Sequence, residues 1–143
     1  MAGLLSPAAA LMDPVAEELR LWASDPFEFQ RNNCGLAIVA YVERVTGGKL
    51  IPAPKFDGEI GAGTMLARRG GFEGYCTWAM GRLGCEPTEQ PSRGDVALVD
   101  LPGGGLTACL CVSPGNWAAR GTDGVVIQPG MAVLAWRVRC PRH

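Results

Sequence analysis

Six cysteines and a single histidine set the limits on what chemistry this chain of 143 residues can carry. The cysteines are Cys34, Cys76, Cys85, Cys109, Cys111 and Cys140, and the histidine is the last residue, His143. Cys34 is the one whose setting suggests reactivity. It follows Asn32-Asn33, a ready N-cap, and precedes the apolar run Leu36–Val42, so it falls in the first turn of a helix. There the positive end of the helix dipole and the unpaired N–H groups favour a thiolate. A thiolate nucleophile still needs a base held within hydrogen-bond reach. His143 follows Pro141-Arg142, and chain ends are usually loosely held, so it reads as a solvated tail residue.

The other chemistry-bearing types read as structural. There is no Cys-x-x-Cys, and Cys109 and Cys111 lie two apart in a strand-like run. They therefore share a face but sit far apart for one tetrahedral site, and no metal centre is expected. Gly103-Gly104-Gly105 is followed by neither Lys-Ser/Thr nor a helix, so it is a hairpin turn and no phosphate-binding cofactor is expected. The cysteines are too sparse for a disulfide scaffold and read as reduced thiols, mostly buried. Asp95, after Arg93-Gly94, is expected to hold local turn hydrogen bonds rather than act as an acid. Trp22, Trp78, Trp117 and Trp136 are expected to pack in the core or an interface rather than form a sugar platform.

These residues must be positioned by helices first and strands later. Asp13-Pro14 caps a helix whose apolar face is Val15, Leu19 and Trp22 and which ends near Ser24. Phe27 and Phe29 belong to an extended linker. The helix opened by Cys34 is apolar nearly all round, so it should be the buried central one, closed by Gly47 in the left-handed position. Lys49–Asp57 reads as a loop, followed by helices over about Gly58–Arg69 and Phe72–Leu83. From Arg93 the pattern changes to strands at Asp95–Val99, Leu106–Val112, Asn116–Ala119, Val125–Ile127 and Val133–Arg139, divided by glycine and proline turns. Helices followed by an antiparallel meander make an α+β chain.

Composition narrows the classes further. The chain is 48% hydrophobic and 19% charged with a formal net charge of −1. A basic excess is missing, so counterion-driven nucleic-acid binding is disfavoured. No apolar stretch approaches the roughly 18 residues of a membrane span. The apolar segment Met1–Met12 has no basic residue, the first being Arg20, so it lacks the charged start of a secretory signal and reads as a mobile or docking segment.

The order of these features resembles the NlpC-like cell-wall cysteine peptidases of the papain-like class. In them an Asp-Cys-Ser-Gly-type motif opens a helix, a Gly-Asp begins the first core strand, and a His-Val-Gly-Ile-Tyr-type strand supplies the base. Asn33-Cys34-Gly35-Leu36, Arg93-Gly94-Asp95-Val96 and Leu106–Val112 stand at those places. Gly124–Ile127 and Ala135-Trp136-Arg137-Val138 also fit. The chain is similar, more closely still, to a family of small proteins encoded by tailed bacteriophages and prophages, over roughly Phe27–Val138. The resemblance implies a papain-like (NlpC-like) α+β fold, with residues 1–26 as docking segment and helix and residues 27–143 as a single domain.

What the resemblance implies for chemistry is a site without its base. The position matching the family's histidine is Thr107, or Ala108 if the register slips by one. Neither accepts a proton near neutral pH. The third polar group of the family falls near Asn116–Ala119, where Asn116 is the candidate. A triad that loses its base loses most of its rate. The expected function is therefore a structural part of a phage tail tip, in contact with hub, distal-tail and central-fibre proteins and with peptidoglycan, in the virion. The alternative is an active hydrolase that cuts peptidoglycan peptides during DNA entry, with Cys34 as nucleophile.

Overall fold

A computed structural model describes residues 13–24, 34–51, 70–102, 105–121 and 124–139. The expected docking segment Met1–Met12, the Phe27–Phe29 linker, the Asn32-Asn33 cap, most of the Lys49–Asp57 loop, the Gly58–Arg69 helix, Gly103-Gly104, Cys140 and His143 lie outside the described residues.

Helix α1 spans Pro14–Ser24. Its cap is the expected one: Asp13 Oδ1 accepts the N–H groups of Val15 (3.2 Å) and Ala16 (3.3 Å), two of the donors a helix start leaves open. Val15 and Trp22 are buried and Leu19 packs beside them. Helix α2 spans Cys34–Thr46 and buries Ala37, Ile38, Val39, Tyr41 and Val42. It ends at Gly47, which takes the left-handed conformation (φ 77°) and donates its N–H to Glu43 O (2.9 Å). Helix α3 spans Gly71–Arg82 and buries Tyr75, Ala79 and Met80.

Six strands form one sheet: β1 (Glu86–Pro87), β2 (Val96–Leu101), β3 (Gly105–Ser113), β4 (Asn116–Gly121), β5 (Gly124–Pro129) and β6 (Ala132–Arg137). Their order is β1-β6-β2-β3-β4-β5, with every recorded pairing antiparallel. The chain is thus α+β, but the sheet is not the simple meander expected from the sequence. Only β2 to β5 follow one another. β6 returns beside β2, and the two-residue β1 pairs on its other side.

A short link forces that departure. β5 and β6 run in the same direction and are joined by Gly130 and Met131 alone. In a flat sheet β6 would lie four strand spacings from β5, about 19 Å. Three Cα steps reach about 11 Å at most. The sheet must curl, and β3 is where it turns: residues 105–110 pair with β2, and residues 110–113 pair with β4 across a register shift.

The curled sheet has a core on each face. On one face Val96, Leu98, Ala108, Leu110, Ala118 and Trp136 pack under the helices with Val15, Ile38, Tyr41 and Val42. On the other, Ala97, Val99, Leu101, Cys109, Cys111, Trp117, Ala119 and Ala135 form a second cluster. The β5–β6 link sits against this second face. Trp117 Nε1–H donates to Gly130 O (2.9 Å), and Gly130 N–H donates to Gly115 O (3.1 Å). A Cβ on Gly130 would stand 2.8 Å from Val99 Cγ1, inside contact distance of a stiff, buried β-branched side chain.

Gly130→Ala is therefore expected to destabilise the fold by about 1–3 kcal/mol in urea denaturation. Adding Val99→Ala should remove part of that cost, so the two changes couple in a double-mutant cycle. Strict additivity would show that the link does not press on Val99.

Candidate functional site

The site expected from sequence lies where α2 meets the sheet. Cys34 is the first residue of α2, and the helix packs on β3 and β4. Strand alternation decides which side chains can face it. Leu106, Ala108, Leu110 and Val112 belong to the helix-side core, whereas Cys109 and Cys111 belong to the opposite one. Thr107 shares the face of Cys109, turned away from α2, and its hydroxyl donates to Gly105 O (3.0 Å). The residue at this level that faces α2 is Ala108, the one-residue slip. The helix-facing side of β3 thus offers only apolar side chains.

Asn116 is placed elsewhere. It stands at the β3–β4 turn, exposed, with Nδ2 donating to Ser113 Oγ (3.0 Å). Thr107 precedes Ser113 by six residues along β3, about 20 Å. Thr107 and Asn116 are therefore not brought together.

Two buried charges were not read from the sequence. Arg120, 5% exposed, lies on β4 on the same face as Ala118 and pairs across to Val125 of β5. Two residues on from the Leu110–Ala118 pair, the helix side therefore carries Ala108 on β3 and Arg120 on β4. An arginine before a glycine turn gives no sequence signal of burial. Glu18, 4% exposed, accepts the Trp22 Nε1–H at Oε2 (2.6 Å) and forms an ion pair with Arg44 of α2. Here a signal existed: Glu18 falls three residues after Val15 and four before Trp22, on the apolar stripe of α1.

The strongest polar constellation is Arg93-Gly94-Asp95, and it is built to hold elements together. Asp95 is 3% exposed. Its Oδ2 accepts Ser92 N–H (2.9 Å), its Oδ1 accepts Val138 N–H (3.1 Å) just after β6, and Arg137 Nε lies 3.8 Å from Oδ2. Cys111 N–H donates to Asp95 O (2.8 Å), and Gly94 N–H to Cys111 O (3.0 Å). Gly94 O accepts the Tyr41 hydroxyl of α2 (2.7 Å), and the φ of 98° at Gly94 excludes most side chains. Arg93 donates to Val112 O (2.9 Å) and to Asp13 Oδ2 (2.9 Å), the cap residue of α1. Asp95 thus makes the turn hydrogen bonds expected of it, and also ties β2 to β6.

Titration follows this placement. Burial, and secondarily the Asp95 charge, pushes the Cys85 and Cys111 thiols up to about 11. The same two causes raise the Tyr41 phenol. Burial of Asp13 opposes its ionisation, but the hydrogen bonds from Arg93 and Ala16 outweigh it and hold the carboxyl below its usual range. Cys85 and Cys111 are free thiols. Trp22, Trp117 and Trp136 are buried, as expected of packing residues, and Trp78 is half-buried in contact with Tyr75. Among the described residues no three His, Cys, Asp or Glu side chains are grouped to hold a metal ion, and no helix is long and apolar enough to cross a membrane.

Two outcomes follow. Both Asp95 oxygens accept backbone N–H groups, so Asp95→Asn must turn an amide N–H against another N–H. The expected loss is about 2–4 kcal/mol in urea denaturation, and a loss under 0.5 kcal/mol would mean that the carboxylate is not the clasp. Separately, thiols raised in the folded state add stability that is complete below the ordinary value near 9 and is lost as pH rises towards about 11. Cys85→Ala combined with Cys111→Ala should flatten the fall in melting temperature over that window.

No curated protein and no solved structure matches the chain. A family model described as a domain of unknown function, DUF6950, matches residues 9–138, which include every described element, and the chain belongs to that family.

Proposed function

We propose that the chain is a structural component of the tail tip of a tailed bacteriophage, built on an NlpC-like peptidase frame that has lost its catalytic base. The observation that carries this reading is the side of β3 that meets α2. A papain-like mechanism needs an imidazole there to take the thiol proton. Leu106, Ala108, Leu110 and Val112 provide no proton acceptor, and the only histidine of the chain is His143. The polar groups with defined partners, Asp95, Arg93 and Tyr41, hold strands and helices to one another. The phage assignment rests on the resemblance of the Cys34 helix, the Gly94-Asp95 strand and the Ala135–Val138 strand to those of small tailed-phage proteins. The partners on this reading are hub, distal-tail and central-fibre proteins, with peptidoglycan close by.

Cys34→Ala phage are expected to assemble and to plate within about twofold of wild type, because a structural part tolerates removal of a thiol. Mass spectrometry of purified virions should find the chain in fixed copy number. Purified protein incubated with peptidoglycan should release no new amino groups. Normal assembly with lost infectivity, together with Cys34-dependent peptide release, would instead establish the active hydrolase. Absence from purified virions would remove the tail-tip role.

A further inference from the structure

We infer that the apolar segment of residues 1–12 folds back on its own chain and fills the groove between residues 87–91 and the outer side of β6. This does not rest on the functional reading above.

The groove encloses about 410 Å³. Pro87 and Pro91 stand on one side, Ala132, Val133 and Leu134 on the other, and Glu89 is the charged member of the lining. The first side is held in place. Thr88 N–H donates to Ala135 O (3.0 Å), and Arg137 donates to Thr88 Oγ1 (3.2 Å) and to Gln90 O (3.3 Å). The second side is uncovered. β1 pairs only with Trp136 and Arg137, so the earlier residues of β6 have no strand beyond them among the described residues. Val133 is 51% exposed there. A preformed apolar groove beside an unpaired stretch of strand suits an extended peptide.

The point where the segment joins the fold selects it as the occupant. Residue 12 precedes Asp13, and Asp13 is tied to Arg93 (2.9 Å). Arg93 stands two residues from Pro91, which lines the groove, and two residues span at most about 7 Å. The segment therefore joins α1 beside the mouth of the groove. Twelve extended residues reach about 40 Å, more than the passage needs. The residues nearest Asp13 make that passage, which brings Leu4 and Leu5 to the groove.

Composition and tethering agree with position. Nine of the twelve residues are Ala, Leu or Met, and none is charged, which matches the apolar lining. A short tether holds such a segment at an effective concentration on the order of millimolar. A site of only millimolar affinity is then filled from within the chain before a dilute partner reaches it.

Paired cysteines in the full chain test this. Leu5→Cys with Val133→Cys should form an intrachain disulfide under mild oxidation, located by peptide mapping. Its yield should exceed that of Leu5→Cys with Val126→Cys at least about tenfold. Val126, 46% exposed on β5, is about as open as Val133 but lies outside the groove. Chymotrypsin, which cuts after leucine, should cleave at Leu4 and Leu5 at least about tenfold faster in Val133→Asp than in wild type, in protein whose melt shows the fold intact. Equal cross-linking of the two pairs would overturn the inference. So would cleavage that Val133→Asp leaves unaltered. A cross-link of the first pair found between two chains would give the groove to a second copy and overturn it as well.

Discussion

A buried carboxylate with two backbone donors fixes this fold. A charged group at this depth is costly to strip of water unless each oxygen finds a donor. Asp95 meets that demand with the N–H of Ser92 at one oxygen and that of Val138 at the other. The first holds the turn that feeds β2, and the second holds the chain just past β6. These two strands are neighbours in space but lie at opposite ends of the meander in sequence. Meeting the carboxylate's needs therefore closes the sheet order. The adjacent residues extend the junction to the helices: Gly94 O takes the Tyr41 hydroxyl of α2, and Arg93 reaches Asp13 at the start of α1. Three residues in a row thus set the relation of both helices to the strands beneath them.

Much of this was legible because local rules and global fold agree. Asp13-Pro14 caps α1, Gly47 ends α2, and the strand pattern from Asp95 onward appears with small shifts of boundary. The topology was not legible, for an identifiable reason. Turn chemistry at Pro129-Gly130 looks like that of a hairpin, and a hairpin would continue the meander. What decides otherwise is the contact of Gly130 with Val99 and Trp117, residues distant in sequence. β1 was missed because two residues, one of them proline, carry no periodicity.

The site shows a sharper division. That a helix begins at Cys34 follows from spacing alone, and the structure begins it there. Which residue of β3 faces that helix depends on register, and a slip of one residue moves every side chain to the other face. Alternation between the two cores selects Ala108 over Thr107. The buried ions divide by signal. Glu18 falls on the helical stripe of Val15 and Trp22 and could have been recognised there, whereas Arg120 sits before a turn in a short strand, where an exposed arginine is the ordinary reading.

If the frame is the peptidase one proposed above, this arrangement bears on how such a frame outlasts its chemistry. A catalytic imidazole under a helix needs a held partner and carries a desolvation cost, and it contributes function at the expense of stability. On the proposed reading Ala108 stands in its place; it needs no partner and belongs to the same core cluster as Ala37, Ile38 and Leu110. Neither the Asp95 junction nor the Trp117–Gly130 contact involves its side chain. The Asp95 junction lies at the opening of β2, and the Trp117–Gly130 contact lies on the face turned away from α2. Removing a base from such a frame leaves its closure intact. On the proposed reading, the scaffold and the former active site are mechanically separate, which lets the one be kept while the other is filled with apolar residues.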